Sequence, residues 1–132
     1  MPAGIKIIAS IYVFILAGII LLADFRSTQF LLDFVGNIPF GDKIGHFCLM
    51  GMCSLLVNLA FGAKNSQFWK LNYLLGSLIV LAIVTTEEFS QIFISGRTFD
   101  LNDLVFDYAG IFIFGETGRF ICRNIIAKRN FY

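Results

Sequence analysis

Charged residues are scarce in this sequence, and their scarcity excludes two broad classes of protein. Only 14% of the residues are charged, while 58% are hydrophobic and the mean hydropathy is +0.81. This composition excludes an ordinary water-soluble domain, which carries a larger charged fraction. The net charge of +1 arises from basic residues scattered between apolar runs. The chain therefore lacks the concentrated basic face of a nucleic-acid-binding protein.

Cysteine motifs and internal repeats are also missing from the sequence. The three cysteines lie in apolar stretches, without a C-x-x-C pair or a regular spacing, at Cys48, Cys53 and Cys122. Such residues are typical of small buried side chains rather than of a redox or metal centre. The lack of a detectable repeat argues against a transporter formed by one chain, although a homo-oligomer leaves that alternative open. We predict no cofactor.

Long apolar runs are what the sequence has instead. Four runs predict transmembrane helices at about residues 4–23, 43–62, 71–93 and 103–122. Each has roughly the 20 residues that cross a bilayer, and the connections are short, so 132 residues leave room for a single domain. The first run is too long for the apolar core of a cleaved signal peptide. We therefore predict an all-α fold, an integral membrane bundle of four transmembrane helices.

The fourth run is the least uniform of the four, because Asp107 and Glu116 interrupt it. A charged side chain facing lipid costs roughly 2.5–3.5 kcal/mol or more, so we expect neighbouring helices to shield this segment. Small residues that allow close helix contact lie in the same run, at Gly110, Gly115 and Gly118. The connection at residues 24–42 is mixed in composition, and we expect a loop there with an amphipathic piece at the membrane interface.

The basic residues predict the orientation of the four spans. Seven of them fall on one side of a four-span topology, namely Lys6, Lys64, Lys70, Arg119, Arg123, Lys128 and Arg129. Three fall on the other side, namely Arg26, Lys43 and Arg97. Because the cytoplasmic side carries the excess of Lys and Arg, we predict that both termini are cytoplasmic. The basic C-terminal tail then serves as a cytoplasmic anchor that also meets anionic lipid.

Three polar motifs are predicted to meet at the outer ends of the second, third and fourth spans. They comprise residues 42–46, 87–91 and 97–103, and Asp107 follows one turn deeper. Helical spacing places Asp42 with His46, and Glu88 with Gln91, on shared faces. Ionisable groups inside spans are expensive unless they are paired or functional. The candidate polar site therefore consists of Asp42, Lys43, His46, Glu88, Gln91, Arg97, Asp100, Asp103 and Asp107.

Roles for these residues follow from their chemistry, with alternatives left open. His46 is the sole histidine of the sequence; we expect Asp42 to orient one of its ring nitrogens, as in acid–base pairs. Arg97 is the natural counter-charge to the carboxylates and is suited to grip a phosphate or carboxylate. Asp100 is either an N-cap of the fourth helix or part of an acidic stripe. A divalent cation bound by the carboxylates and His46 is a weaker alternative, and we predict no metal.

The motifs together resemble those of the VanZ-like family of small bacterial membrane proteins. That family carries D-K-x-x-H at the start of one helix, matched by Asp42, Lys43 and His46. It also carries E-x-x-Q…R-x-x-D-x-x-D-x-x-x-N-x-x-G, matched here by Glu88, Gln91, Arg97, Asp100, Asp103, Asp107 and Gly110. The similarity covers about residues 41–115. Two positions depart from the family pattern, because Met50 replaces a usual Tyr and Asp107 replaces the usual Asn.

The resemblance implies a multi-pass protein of the bacterial cytoplasmic membrane with a link to the cell envelope. The namesake of the family confers low-level resistance to the glycopeptide teicoplanin. We therefore expect an outward polar site that binds an envelope lipid or another amphipathic ligand, such as a lipid-linked precursor or a lipoglycopeptide. In that hypothesis Arg97 and Lys43 hold an anionic group. A hydrolase or transferase acting on a lipid-linked precursor, and a scaffold in which the polar residues only join the helices, are the alternatives.

Overall fold

The protein is mostly helical in the part of the chain that the structure describes. The computed structural model describes residues 3–24, 40–68, 71–94 and 99–129. These contain the helices α1 (Ala3–Asp24), α2 (Gly41–Ala60), α3 (Leu75–Ser90) and α4 (Leu101–Arg129). A single 3-10 turn, Gln91–Phe93, follows α3. The prediction of a helical fold with four long helices is confirmed, whereas the loop predicted at residues 24–42 lies largely outside the described residues.

Three of the described helical segments are long and apolar enough to cross a membrane. They are Ala3–Leu22, Gly41–Ala60 and Leu75–Phe93. Helix α4 is the longest, with 29 residues, but its acidic and basic residues make it more polar than the other three. Along α1 large apolar side chains are exposed, and Phe14 is 79% exposed. A surface of this kind requires an apolar neighbour such as lipid or another protein segment.

The connection between α2 and α3 contains a two-stranded hairpin instead of a plain loop. Gly62, with φ of 66°, ends α2, because its N–H donates to the Leu59 carbonyl at 3.1 Å and the next N–H donates to the Asn58 carbonyl at 2.7 Å. This is the Schellman pattern, in which a left-handed glycine satisfies the last carbonyl groups of a helix. The antiparallel strands that follow are β1 (Asn65–Phe68) and β2 (Leu71–Leu74). Helix α3 therefore begins later than the predicted start near residue 71.

Helices α2 and α4 form the closest pair in the described structure. A Cβ added to Gly110 would lie 2.2 Å from the Phe47 carbonyl oxygen, which places the two backbones in direct contact. The Phe47 and Phe114 rings meet edge to face at 5.7 Å. The prediction that glycines of the fourth helix allow close approach is thus confirmed at Gly110. The buried apolar core joins all four helices and consists of Leu16, Met50, Cys53, Val80, Val84, Leu104 and Ile111.

A fully or nearly fully buried polar layer joins α2, α3 and α4 away from the candidate site. Asn58 donates from Nδ2 to Ser77 Oγ at 2.8 Å, and Ser54 donates to the Ile111 carbonyl at 2.9 Å. The two serine hydroxyls lie 3.1 Å apart. Lipid provides no hydrophobic driving force for helix association, so hydrogen bonds between helices help to hold them together. This layer fixes the lateral arrangement of the helices that carry the site.

Candidate functional site

Eight of the predicted site residues come together at one end of the helices. Helix α2 begins there, α3 ends there and α4 begins there again, so the reversal of chain direction brings three sequence motifs to one place. We use the name polar cluster for Asp42, Lys43, His46, Glu88, Gln91, Asp100, Asp103 and Asp107. The remaining predicted residue, Arg97, lies outside the described residues.

Lys43 joins three carboxylates from two helices. Its ammonium group donates to Asp42 Oδ2 at 3.2 Å, to Asp100 Oδ2 at 2.7 Å and also to Asp103 Oδ1. The Lys43 and Asp103 side chains are 19% and 11% exposed, so water screens this ion pair only weakly. The structure places Lys43 against these carboxylates, and the counter-charge role predicted for Arg97 concerns a residue outside the described part of the chain. A ligand anion at Lys43 would have to compete with them.

Asp100 both caps α4 and binds Lys43. Its Oδ1 accepts the backbone N–H of Asn102 at 2.8 Å and the Asn102 amide at 2.9 Å, which confirms the N-cap alternative. Its Oδ2 accepts from Lys43. The hydrogen bond from Lys43 is the main reason why the pKa of Asp100 is lowered, and the backbone N–H of Asn102 adds to the effect. Both interactions favour the charged carboxylate.

Acid is expected to destabilise the protein through Asp100. A lowered pKa in the folded state means that the stabilising contribution is present above the unfolded pKa, near 3.8. It is lost as the pH falls through the lower folded value. We expect Asp100→Asn to lower stability at neutral pH and to flatten the loss of stability that follows as the pH falls from neutral to below about 3.8. Denaturant unfolding in detergent across this pH range measures both effects, and an unchanged slope in the variant would contradict the assignment.

His46 pairs with Asp107 rather than with Asp42. Its Nδ1 lies 3.1 and 3.2 Å from the two Asp107 carboxylate oxygens, whereas its Nε2 lies 3.9 Å from Asp42 Oδ1 and from Asp103 Oδ2. The expectation that Asp42 orients the ring was therefore wrong, because α4 turns Asp107 toward α2. A carboxylate at Nδ1 fixes the ring orientation and leaves Nε2 to face a reacting or bound group. His46 remains 21% exposed.

Glu88 is completely buried and connects α3 to the start of α4. Its Oε2 accepts from Gln91 Nε2 at 3.0 Å, and its Oε1 accepts the backbone N–H of Asp100 at 3.3 Å. Gln91 also donates to Glu87 Oε1 at 3.1 Å, so Glu87 belongs to the edge of the polar cluster. Phe89 and Phe99 stack beside this connection at 5.4 Å. A buried carboxylate is costly unless its oxygens are satisfied, and these donors satisfy both.

Two sets of side chains in the polar cluster have the spacing of metal ligands. One is Asp42, His46 and Asp103, and the other is His46, Glu88 and Asp107; in each set the ligand atoms lie within 4.8 Å of one another. Carboxylate and imidazole donors suit divalent cations such as Zn²⁺ or Mn²⁺. The two sets share His46, so one ring can serve only one of them with a given nitrogen. The described side chains therefore offer two possible ligand sets for the alternative of a bound divalent cation.

An apolar slot lies between α1, α2 and α3 and reaches the edge of the polar cluster. Its volume is about 240 Å³, and its walls include Leu16, Ile20, Met50, Cys53, Val80 and Ile83. Glu87 also lines this slot, and through Gln91 it connects to Glu88. The site thus combines a polar part and an adjoining apolar part.

Sequence reasoning missed two interactions near or below the polar cluster. Thr85 and Tyr108 form a hydrogen bond of 2.7 Å between α3 and α4, one turn from Glu88. The layer formed by Ser54, Asn58 and Ser77 lies deeper. An amide in the middle of an apolar run, as at Asn58, is the signal that predicts such a layer.

The fold and the site together define a mostly helical protein with three candidate membrane-crossing helices and a carboxylate-rich cluster at one end. Comparison of the chain with protein-family models, with curated proteins and with solved structures gives no match. The assignment of a function therefore rests on the geometry of the site and on the sequence motifs.

Proposed function

We propose that the chain is a VanZ-like integral membrane protein of the bacterial cytoplasmic membrane that binds an amphipathic envelope ligand. The head group of the ligand binds at the polar cluster on the outer side, and both termini are cytoplasmic. The adjoining apolar slot receives a hydrocarbon part of the same ligand. The three long apolar helices and the exposed apolar side chains of α1 support the membrane assignment.

The observation that carries this proposal is the shared border of the two parts of the site. Glu87 lines the apolar slot and accepts a hydrogen bond from Gln91 of the polar cluster. Glu87 and Gln91 therefore form the border across which a ligand with a polar end and a hydrocarbon end would contact both parts. Pockets of this composition bind by apolar contact and gain specificity from a few polar groups.

The charges of the polar cluster favour particular head groups. In the described part of the cluster, five carboxyl groups accompany one ammonium group and one imidazole. This excess of carboxyl groups favours a ligand head group that has a positive charge or several hydrogen-bond donors. Arg97 is the partner that we propose for any anionic group of the ligand. Met50, at the position where the family has Tyr, lines the slot and adds no hydroxyl to its wall.

The His46–Asp107 pair supports a second candidate function, hydrolysis of a lipid-linked envelope precursor. Asp107 at Nδ1, with Asp42 and Asp103 near Nε2, would favour the protonated ring, from which Nε2 can donate a proton to the leaving group as a general acid does. Ser90 is poorly suited as a nucleophile, because its hydroxyl donates to the Glu87 carbonyl at 2.6 Å. We take water as the nucleophile in this alternative, and release of a cleaved head group would distinguish it from binding alone.

Ligand binding at the polar cluster is expected to raise the thermal stability of the purified protein. A ligand at a hundred times its Kd stabilises the folded state by about 2.7 kcal/mol. We expect this for at least one compound among teicoplanin, a lipid-linked cell-wall precursor and the main envelope phospholipids. His46→Gln should weaken the effect, because it removes the ring that Asp107 orients. Thermal unfolding in detergent, with and without each compound, is the measurement.

A matched control separates ligand binding from a purely structural role. Gln67→Ala alters an exposed side chain of the hairpin, so it should leave both the stability and the ligand effect unchanged. If no compound stabilises the wild type and His46→Gln only melts earlier, the polar cluster is a structural joint and the scaffold alternative replaces our proposal.

A further inference from the structure

A second cavity lies at the opposite end of the helices, between α3 and α4 and beside strand β2. Its volume is about 240 Å³. Asn72 and Tyr73 of the hairpin and Arg119 of α4 give it polar groups, while Leu78, Leu81 and Phe112 give it an apolar wall. We call this cavity the Arg119 groove. It is separate from the polar cluster and shares no residue with it.

The guanidinium group of Arg119 is not fully satisfied within the described structure. Its Nη1 lies 3.1 Å from Glu116 Oε2 in an ion pair, and the Arg119 side chain is 23% exposed. Its Nε is buried and has no hydrogen-bond partner among the described residues. An unpaired buried donor is uncommon in folded proteins, so the Arg119 side chain keeps hydrogen-bonding capacity beyond its ion pair with Glu116.

The Arg119 guanidinium is the group in the groove that suits an anionic occupant. Glu116, the acidic side chain that lines the groove, lies 3.1 Å from Arg119 Nη1, and Lys64 is exposed at the same end of the helices. Basic pockets between membrane helices on the cytoplasmic side bind the head groups of anionic lipids. Arg in particular can donate two parallel hydrogen bonds to a phosphate.

We propose that the Arg119 groove binds one anionic phospholipid. The lipid phosphate accepts hydrogen bonds from Arg119, the head group lies beside the hairpin residues Asn72 and Tyr73, and an acyl chain lies against Leu78, Leu81 and Phe112. The lipid then bridges α3 and α4 at the end where the polar cluster cannot hold them together. This site is independent of the ligand that we propose for the polar cluster.

Lipid binding to purified protein in an uncharged detergent tests the proposal. Native mass spectrometry gives the affinity for phosphatidylglycerol, for phosphatidylcholine with the same acyl chains and for glycerol phosphate alone. We expect the wild type to prefer phosphatidylglycerol. Arg119→Gln should weaken this binding by about tenfold, the effect of losing a charge-assisted hydrogen bond.

The matched control is Arg123→Gln, which removes the same charge one turn further along α4. Arg123 is exposed and does not line the groove, so we expect a change in affinity of less than about twofold. Leu78→Trp provides a second test that leaves every charge in place. The larger side chain would occupy the part of the groove where we place the acyl chain. It should also weaken phosphatidylglycerol binding by about tenfold, whereas His46→Gln should leave it unchanged.

Several results would overturn the assignment. Equal losses in Arg119→Gln and Arg123→Gln would mean that the basic end attracts lipid without a specific site. If phosphatidylcholine binds as tightly as phosphatidylglycerol, the groove does not select an anionic head group. If glycerol phosphate binds as tightly without acyl chains, the groove binds a free phosphate group and not a lipid. If Arg119→Gln does not fold, unchanged affinity in Leu78→Trp decides against the groove, and a loss decides for it.

Discussion

Lys43→Met is expected to destabilise the protein by about 2 kcal/mol, which lies between the roughly 1 kcal/mol of an exposed ion pair and the roughly 3–5 kcal/mol cost of breaking a fully buried one. Methionine keeps most of the length and the apolar stem of lysine but removes the ammonium group. Asp42, Asp100 and Asp103 would then face one another without the cation that now donates to all three. Because Asp103 is only 11% exposed, water cannot replace the lost interaction fully.

Denaturant unfolding in detergent at neutral pH measures this loss, and two controls define its cause. Lys64→Met makes the same substitution at an exposed lysine and should change the stability by less than about 0.5 kcal/mol. In a double-mutant cycle, Asp103→Asn added to Lys43→Met should cost less than the two single changes together, because the partner charge is already gone. Additive costs, or equal stability of Lys43→Met and Lys64→Met, would show that Lys43 does not hold the cluster together.

The sequence predicts the place of the polar cluster but not its internal pairing. Three motifs at the ends of apolar runs must meet if the runs cross back and forth, and they do meet at the start of α2, the end of α3 and the start of α4. Which carboxylate faces His46 depends on the rotation of α4 about its own axis. Spacing along α2 makes Asp42 the natural partner, yet the contact between Gly110 and Phe47 sets a rotation that brings Asp107 to the ring.

The hairpin escapes prediction for a local reason. The residues of β2 continue without a break into the apolar run of α3, so hydropathy alone joins Leu71–Leu74 to the helix. The strand exists because β1 lies opposite, with Asn65 paired to Leu74 and Ser66 to Tyr73. Strand β1 itself begins just after the turn of the chain at Gly62 and Ala63, where φ is positive at both residues. The spacing of residues along the sequence does not predict that Ala63 adopts a positive φ.

Gly110→Ala is expected to cost about 3 kcal/mol, the upper end of the usual range for overpacking. The added methyl group would lie 2.2 Å from the Phe47 carbonyl oxygen and 3.2 Å from the Gly51 backbone nitrogen. A side chain can rotate away from such a contact, but a helix backbone cannot, so α2 and α4 must separate. Phe47 follows His46, and Gly110 lies one turn beyond Asp107, so the separation also lengthens the His46–Asp107 contact.

The effect of Gly110→Ala should therefore appear both in stability and at the site. Thermal unfolding should show the loss of stability, and any compound found to bind the polar cluster should bind more weakly to the variant. Gly118→Ala is the matched control on the same helix, because its new Cβ would meet Leu55 Cδ1 at 3.4 Å and Asn58 Cβ at 3.5 Å, which is ordinary packing. Alanine also favours the helix over glycine by up to about 1 kcal/mol, so Gly118→Ala should be neutral or slightly stabilising. If both variants behave alike, the close approach of α2 and α4 does not set the geometry of the polar cluster.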